Sequence, residues 1–453
     1  MATPAPVIPK AKVLRYLAQT IRNPIGMFSR YARQHGDTYL FTVSKHRRTL
    51  MTIDADIFQQ VLQKNHRNYE KSEIQTDQVA RYFGKGLLTN EGKSWLKQRR
   101  LIQPGFSRVK LEVLAHTMQA VIAEECAALK KVADADGKIN LHHLTRDAVF
   151  RIIVRAIFTD GFSQEDAARL HHTIEKVQGY IIYPVRLPFL RGALRWLGLE
   201  KKHVDLSLRV RADIQARIDA RRAGQRQDDL LQMLLDIRYQ DTGEGMTDEQ
   251  LVDEILILFA AGHETSANSL AWTIWLLLRH PDKLEKVRAE ITAAEAQGPL
   301  DFAGVRRLPY LTQVIDESLR MYPPAWLTDR VAHEDDNTGE VVIEAGVVIG
   351  LFVVGLHRNP KYWDAPDEFR PERMTPEAKK SRHPGCYVPF GGGPRLCIGN
   401  HFAMLEMLLF LVPILRDFDF VLPPGAEQVR GDPAITLRMD RAVVCQVNSR
   451  TVV

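Results

Sequence analysis

Cysteine is scarce in this chain of 453 residues: Cys126, Cys386, Cys397 and Cys445 are too few and too scattered for a disulfide framework. The opening MATPAPVIPKAK lacks the apolar core of a secretory leader, so a reducing, cytoplasmic compartment is expected. No excess of one charge stands out either. Lys and Arg number 61 against 55 Asp and Glu, and a net charge of +6 on so long a chain gives no ground for a nucleic-acid partner. Repeats, low-complexity tracts and linkers are also missing, which predicts one domain over 1–453 with a short N-terminal extension, 1–23. What is present is ordinary globular composition, 45% hydrophobic and 26% charged, which excludes disordered and fibrous classes.

Helical periodicity dominates. It predicts helices over 24–35, 54–64, 93–103, 110–132, 146–158, 164–180, 202–222, 247–279, 281–296, 309–322 and 400–416. Strand-like alternation is confined to Tyr39–Val43 with Thr49–Ile53, Val341–Ile349, and two runs near Ile435 and Val443. The expected class is mainly α with small β-sheets (α+β). Val13, Leu14, Leu17 and Ile21 recur at helical spacing beside Lys12, Arg15 and Arg22, a segment that either packs onto the body or lies on a membrane surface. From Pro360 to Pro389 repeated proline leaves a long irregular stretch of the kind that wraps a site.

The longest predicted helix is apolar enough over Ile255–Leu278 to suit a bilayer. Two features argue against a membrane span. Thr247 and Gln250 in TDEQ form a capping box in a charged context, and a Glu at mid-span is costly in lipid. The segment therefore reads as a buried central helix of about 48 Å, at roughly 1.5 Å per residue. A buried Glu264-Thr265 pair then needs a reason, because unpaired charge in a core is costly.

FGGGPRLCIGNHFAMLEML joins a glycine-rich turn to an apolar helix, with Cys397 just before the helix. Gly391, Gly392, Gly393 and Gly399 clear side chains from around that sulfur, so a large flat group can approach the backbone. The free amides of the following helix would favour a thiolate. His383-x2-Cys386 with Cys397-x3-His401 also has paired zinc-ligand spacing, although zinc has no use for the glycine pattern. An inert buried cysteine at a helix start is the plainest reading, and it leaves Phe390, Gly393, Arg395 and Gly399 unexplained.

Phe390-x-x-Gly393-x-Arg395-x-Cys397-x-Gly399 resembles the haem-binding signature of the cytochrome P-450 family. Other landmarks follow in the family's order along essentially the whole chain. Glu317-x-x-Arg320 resembles its Glu-x-x-Arg helix motif, Phe369-Arg-Pro-Glu-Arg373 the segment supplying a second arginine, and Ala261-Gly-His-Glu264-Thr265-Ser266 the oxygen-activating stretch. Met374 stands where the family often has Phe.

The resemblance implies haem b (iron protoporphyrin IX) buried between the long central helix and the cysteine-loop helix, with Cys397 as axial ligand. An electron-rich thiolate favours O–O cleavage. Thr265 and Glu264 would deliver protons to dioxygen. Ala261 lies at i, i+4 from Thr265, with Gly262 allowing the helix to widen; a threonine bonded back to the Ala261 carbonyl is the ordinary alternative. Arg395, Trp95, Arg99 and Arg330 would hold the propionates, with Phe390, Gly391 and Gly399 against the ring and Glu317, Arg320 and Arg373 in a buried structural network.

Substrate contacts would fall on 74–88, 177–187, 259–261, 325–327 and near 437, offering Tyr82, Phe83, Leu87, Tyr180, Ile181, Ile182, Tyr183, Trp326 and Leu437. That apolar lining predicts a fatty acid, terpenoid or steroid-like substrate. Electrons would come from a separate ferredoxin or flavodoxin with its NAD(P)H reductase, drawn to Lys93, Lys97, Arg100, Arg358, Lys361, Lys379, Lys380 and Arg382. The expected product is a monooxygenase acting as a monomer. The rivals are a peroxide-dependent peroxygenase on the same fold, a haem gas sensor, and a zinc-stabilised structural protein.

Overall fold

The computed structural model describes residues 5–44, 47–159, 163–224, 226–239 and 241–450. The chain divides into two compact units, each assembled from three stretches: Met1–Ser72, Pro309–Asn400 and Val429–Asp440 in one, and Glu73–Leu308, His401–Gln428 and Arg441–Val453 in the other.

The first unit is built on a six-stranded mixed sheet in the order Val7–Ile8, Thr38–Ser44, Arg47–Thr52, Val348–Leu351, Thr328–Ala332, Tyr69–Glu70. Thr38–Ser44 and Arg47–Thr52 pair antiparallel as the alternation predicts, Tyr39 opposite Met51. Tyr39, Leu50 and Met51 face the core with Ile57, Phe58, Ile349, Leu351 and Phe352, all nearly inaccessible to water. Helix Pro24–His35, capped by the Asn23 side chain on the Gly26 amide, covers this core with Met27 and Tyr31.

Val13 and Tyr16 pack against the same core, so the N-terminal extension is tucked onto the body. The side chains of Leu14 and Leu17 lie outside the described residues. The run Val341–Ile349 is two strands rather than one, Val342–Ile343 and Val348–Leu351, in different sheets. Gly346 turns the chain between them at φ +74°, a conformation a strand cannot contain. Within 360–389, only short turns of helix at Pro371–Met374 and Pro376–Ser381 interrupt the irregular path.

The second unit is helical. Its main elements are Gly92–Ile102, Arg108–Asp134, Leu141–Phe158, Gln164–Arg186, Leu199–Arg222, Asp248–Leu278 and Pro281–Glu295, with the body of Asn400–Asp417. The central helix Asp248–Leu278 is buried on nearly all sides, with Trp272 and Trp275 fully enclosed. Among the described residues no helix is long and apolar enough to cross a membrane.

Its N-terminus is half a capping box. Thr247 accepts from the Gln250 amide at 3.3 Å, but the Gln250 side chain pairs with Tyr239 Oη at 2.8 Å. The helix remains α-helical through Gly262, and a Cβ there would meet Ile153 Cδ1 at 3.0 Å. Gly262 therefore serves close approach of helix Leu141–Phe158 and not local widening. The stretch 74–88 is only partly loop: Ile74–Val79 is a π-helical turn running into helix Ala80–Phe83.

Candidate active site

In the first unit, the cysteine loop is shaped by backbone hydrogen bonds. The Gly391 amide donates to the Val388 carbonyl at 3.0 Å, and the Cys397 amide donates to the Phe390 carbonyl at 2.9 Å. Gly393 sits at φ +64°, where a Cβ would lie 1.9 Å from the Leu62 carbonyl oxygen. At Gly391, φ +76°, nothing approaches a built Cβ closer than the Arg395 carbonyl at 4.0 Å, so that face of the loop is open. Cys397 is exposed, whereas Cys386 and Cys445 are buried and Cys126 is partly so. Burial pushes those three thiols up, to about 11 for Cys386 and about 12 for Cys126 and Cys445. They are inert.

The zinc reading fails on donors. His383 Nε2 faces Asp56 Oδ1 at 3.1 Å, its Nδ1 accepts from the Gly385 amide at 3.0 Å, and among the described residues no three His, Cys, Asp or Glu side chains could hold a metal ion.

Behind the loop lies the arginine network. Arg320 donates to both Glu317 oxygens at 2.8 Å, with both side chains inaccessible to water. Arg373 Nε is 3.3 Å from Glu317 Oε1, the Arg370 amide donates to the same oxygen, and Arg320 also donates to the His357 and Pro366 carbonyls at 2.8 Å. His357 is the member no motif announced. Its Nδ1 donates to the Arg320 carbonyl at 3.2 Å and its Nε2 accepts from the Val388 amide at 3.0 Å. Burial beside Arg320 drops its pKa to about 3, so the ring is neutral, as an accepting nitrogen requires.

Arg330 is buried on strand Thr328–Ala332 and donates to the Asp329 carbonyl at 2.6 Å; no carboxylate forms an ion pair with it among the described residues. Burial lowers its pKa, and that of Arg395 to about 10. Trp326 and Leu437 are buried in this unit's core, Trp326 held by its indole N–H on the Ala434 carbonyl at 3.0 Å. An exposed thiol, an open glycine face and a buried cation lacking its anion fit a flat, carboxylate-bearing metal macrocycle.

In the second unit, Ala261, Glu264 and Thr265 are half-buried on the central helix. The Thr265 hydroxyl donates to the Ala261 carbonyl at 2.7 Å, the ordinary helical arrangement. The Glu264-Thr265 pair is only partly buried, with Glu264 Oε2 inaccessible to water; the fully enclosed neighbour is His263, 2% exposed, with its pKa lowered to about 3 by burial. Glu406, on helix Asn400–Asp417, is also fully enclosed, and its carboxyl is pushed up to about 8 by burial despite the favourable Ser266 hydroxyl. Trp95 is buried and Arg99 half-buried on helix Gly92–Ile102.

Tyr82, Phe83, Tyr180, Ile181, Ile257 and Ala260 form one buried apolar cluster, with Leu87 and Ile182 half-buried. Tyr183 is 57% exposed and turned to solvent rather than into this cluster. The basic residues are partly neutralised. Lys97 pairs with Asp241, Lys361 with Asp54 and Lys379 with Asp316, while Arg358 and Arg382 donate to the Met321 and Arg373 carbonyls.

A family model described as cytochrome P-450 matches residues 4–445. The chain is similar to an echinocystic acid 23-monooxygenase from Saponaria officinalis, 31% identical over 385 residues covering 80% of this chain and 73% of that protein. It is also similar to the cyclooctatin synthase of Streptomyces melanosporofaciens, 30% identical over 408 residues covering 89% and 87%. Its fold matches a cytochrome P450DA heme domain with a TM-score of 0.88 over 100% of this chain and 99% of that one, at 24% identity. The chain therefore belongs to the cytochrome P-450 family, with the family's fold and haem cofactor, and is an oxidoreductase of the monooxygenase class that requires dioxygen, a substrate and a redox partner.

Proposed function

We propose that the Cys397 thiolate would hold the haem iron and that the protein inserts one oxygen atom into a C–H or C=C bond of an apolar small molecule, the other atom leaving as water. The observation that carries this is the exposed Cys397 beside the open Gly391 face, while the other three thiols are inert. Arg330 and Arg395, with Trp95 and Arg99, would hold the propionates, and Phe390 and Gly399 flank the ring. Bound haem supplies the dioxygen chemistry, favoured by an electron-rich thiolate.

Thr265 Oγ1 holds a proton for that chemistry and Glu264 resupplies it from solvent. Their half-burial supports this role, since a relay needs access to water. Tyr82, Phe83, Leu87, Ile182, Trp326 and Leu437 contact substrate, and their apolar character keeps fatty acids, terpenoids and steroid-like molecules in view. Relatives named for echinocystic acid and 11-oxo-beta-amyrin favour the terpenoids. Electrons come from a ferredoxin or flavodoxin with its NAD(P)H reductase, and the protein works as a cytoplasmic monomer. A peroxygenase has no need of the Glu264-Thr265 pair, since peroxide already carries the protons and electrons.

The test is Cys397→His. The variant is expected to keep some haem and to lose turnover, and its reduced carbon-monoxide complex should lose the thiolate red shift of the Soret band. A variant Soret band unchanged from the wild-type position would remove Cys397 as ligand.

A further inference from the structure

Two consecutive carboxylates on the central helix carry a loop that no motif explains. The Lys85 amide donates to Asp253 Oδ2 at 2.6 Å and the Leu87 amide donates to Glu254 Oε2 at 2.9 Å. Glu254 is inaccessible to water and Asp253 nearly so. The alternation is possible because glycine stands before Lys85 and between Lys85 and Leu87. A Cβ on Gly84, at φ +77°, would lie 2.0 Å from Asp253 Oδ1, and one on Gly86 would lie 2.8 Å from Ile257 Cγ1 and 2.9 Å from the Asp253 carbonyl oxygen.

A third element joins them. Arg211, on helix Leu199–Arg222, forms an ion pair with Asp253 at 2.5 Å, and Ser207 of the same helix donates to the Tyr82 carbonyl. Gln98 and Thr89 secure the loop's other side, donating to the Lys85 and Gly84 carbonyls at 3.1 and 2.6 Å. Immediately before the loop, Tyr82 and Phe83 pack with Ile257 and Ala260, one and two turns along the central helix from the carboxylates.

We propose that Asp253 and Glu254 are positioning residues that latch the 84–87 loop onto the central helix as a wall of the substrate pocket, with Arg211 tying helix Leu199–Arg222 to the same latch. Entry and exit of an apolar substrate then require these backbone-to-carboxylate bonds to open together. This rests on Tyr82, Phe83 and Leu87 being substrate contacts.

The experiment uses the haem-loaded protein in four forms: wild type, Glu254→Ala, Glu254→Gln and Gly86→Ala. Amide hydrogen exchange at Lys85 and Leu87 reads the latch, and stopped-flow dissociation of 4-phenylimidazole, an apolar haem-ligating probe, reads the pocket. Glu254→Ala and Gly86→Ala should raise exchange about tenfold or more at Leu87 and speed probe release several-fold. Glu254→Gln, whose amide oxygen can still accept, should stay near wild type. If Glu254→Ala does not fold, Arg211→Gln, at a partly exposed side chain, takes its place with the same expectation at Lys85. Unchanged exchange in the perturbing variants overturns the latch and leaves the substrate contacts standing. Raised exchange with unaltered probe release overturns the loop as a pocket wall, and with it the assignment of Tyr82, Phe83 and Leu87.

Discussion

Thr265 shows how one hydroxyl can serve two readings. Its bond to the Ala261 carbonyl engages its one hydrogen and leaves both oxygen lone pairs available, so in the helical arrangement the hydroxyl can accept a hydrogen bond, and it delivers a proton only when the O–H turns away from that carbonyl. Thr265→Ala should spare folding, since alanine suits a helix, while the ratio of product to NAD(P)H consumed falls and peroxide is released. Added hydrogen peroxide should partly restore product. A ratio equal to wild type would remove Thr265 from the proton path.

Glu406 makes a different prediction. Its carboxyl rises from 4.5 to about 8 on burial, so folding favours its neutral form. A group whose pKa is higher folded than unfolded contributes its full stability below the unfolded value and loses it as pH climbs to the folded one. The loss between pH 4.5 and 8 reaches about 3 kcal/mol at pH 7, at roughly 1.36 kcal/mol per pH unit. Glu406→Gln should flatten the decline in melting temperature from pH 5 to pH 8; an identical decline in both proteins would mean the carboxyl is not neutral in the fold.

At the scale of elements, helix Pro309–Met321 is tied to the cysteine loop by side chains. Glu317→Ala or Arg320→Ala leaves a buried charge without its partner, at about 3–5 kcal/mol, and should yield little folded haem protein. His357→Leu should act through the same joint, orphaning the Val388 amide and the Arg320 carbonyl at about 1–3 kcal/mol each. His357→Gln, which can donate and accept, should recover haem content and melting temperature. Equal behaviour of the Leu and Gln variants would show that the ring only fills space.

The contrast between these residues explains what the chain made legible. Glu317, Arg320 and Cys397 stand at fixed local spacings, and helices such as Pro24–His35 and Asp248–Leu278 carry their periodicity and caps within themselves. His357, Asp253 and Glu406 mean nothing until a distant amide or helix arrives beside them. Gly262 was misjudged for that reason: its missing side chain answers to Ile153, from another helix. Thr328–Ala332 was missed because TDRVA has no apolar alternation, and its strand character comes from pairing with Val348–Leu351.

For the whole molecule, the proposed ferredoxin or flavodoxin donor makes a prediction about charge. Ion pairs to Asp241, Asp54 and Asp316 occupy Lys97, Lys361 and Lys379, whereas Lys93, Arg100 and Lys380 are exposed with no ion pair among the described residues. Reduction by an acidic ferredoxin should slow as ionic strength rises. Lys93→Glu or Arg100→Glu should lower its second-order rate several-fold while Lys361→Glu changes it little. A rate indifferent to salt would exclude an acidic partner steered by this charge.

The six-stranded sheet also dictates when the protein can be finished. Strand Arg47–Thr52 waits for Val348–Leu351, which emerges only after the long stretch Glu73–Leu308 has been made. During synthesis its apolar face and open edge have no native cover, and pairings between such distant segments form slowly. Slower translation or a lower growth temperature should therefore raise the soluble yield of this chain more than added haem precursor does, because the vulnerable interval belongs to an unclosed sheet and precedes the arrival of Cys397, the proposed haem ligand.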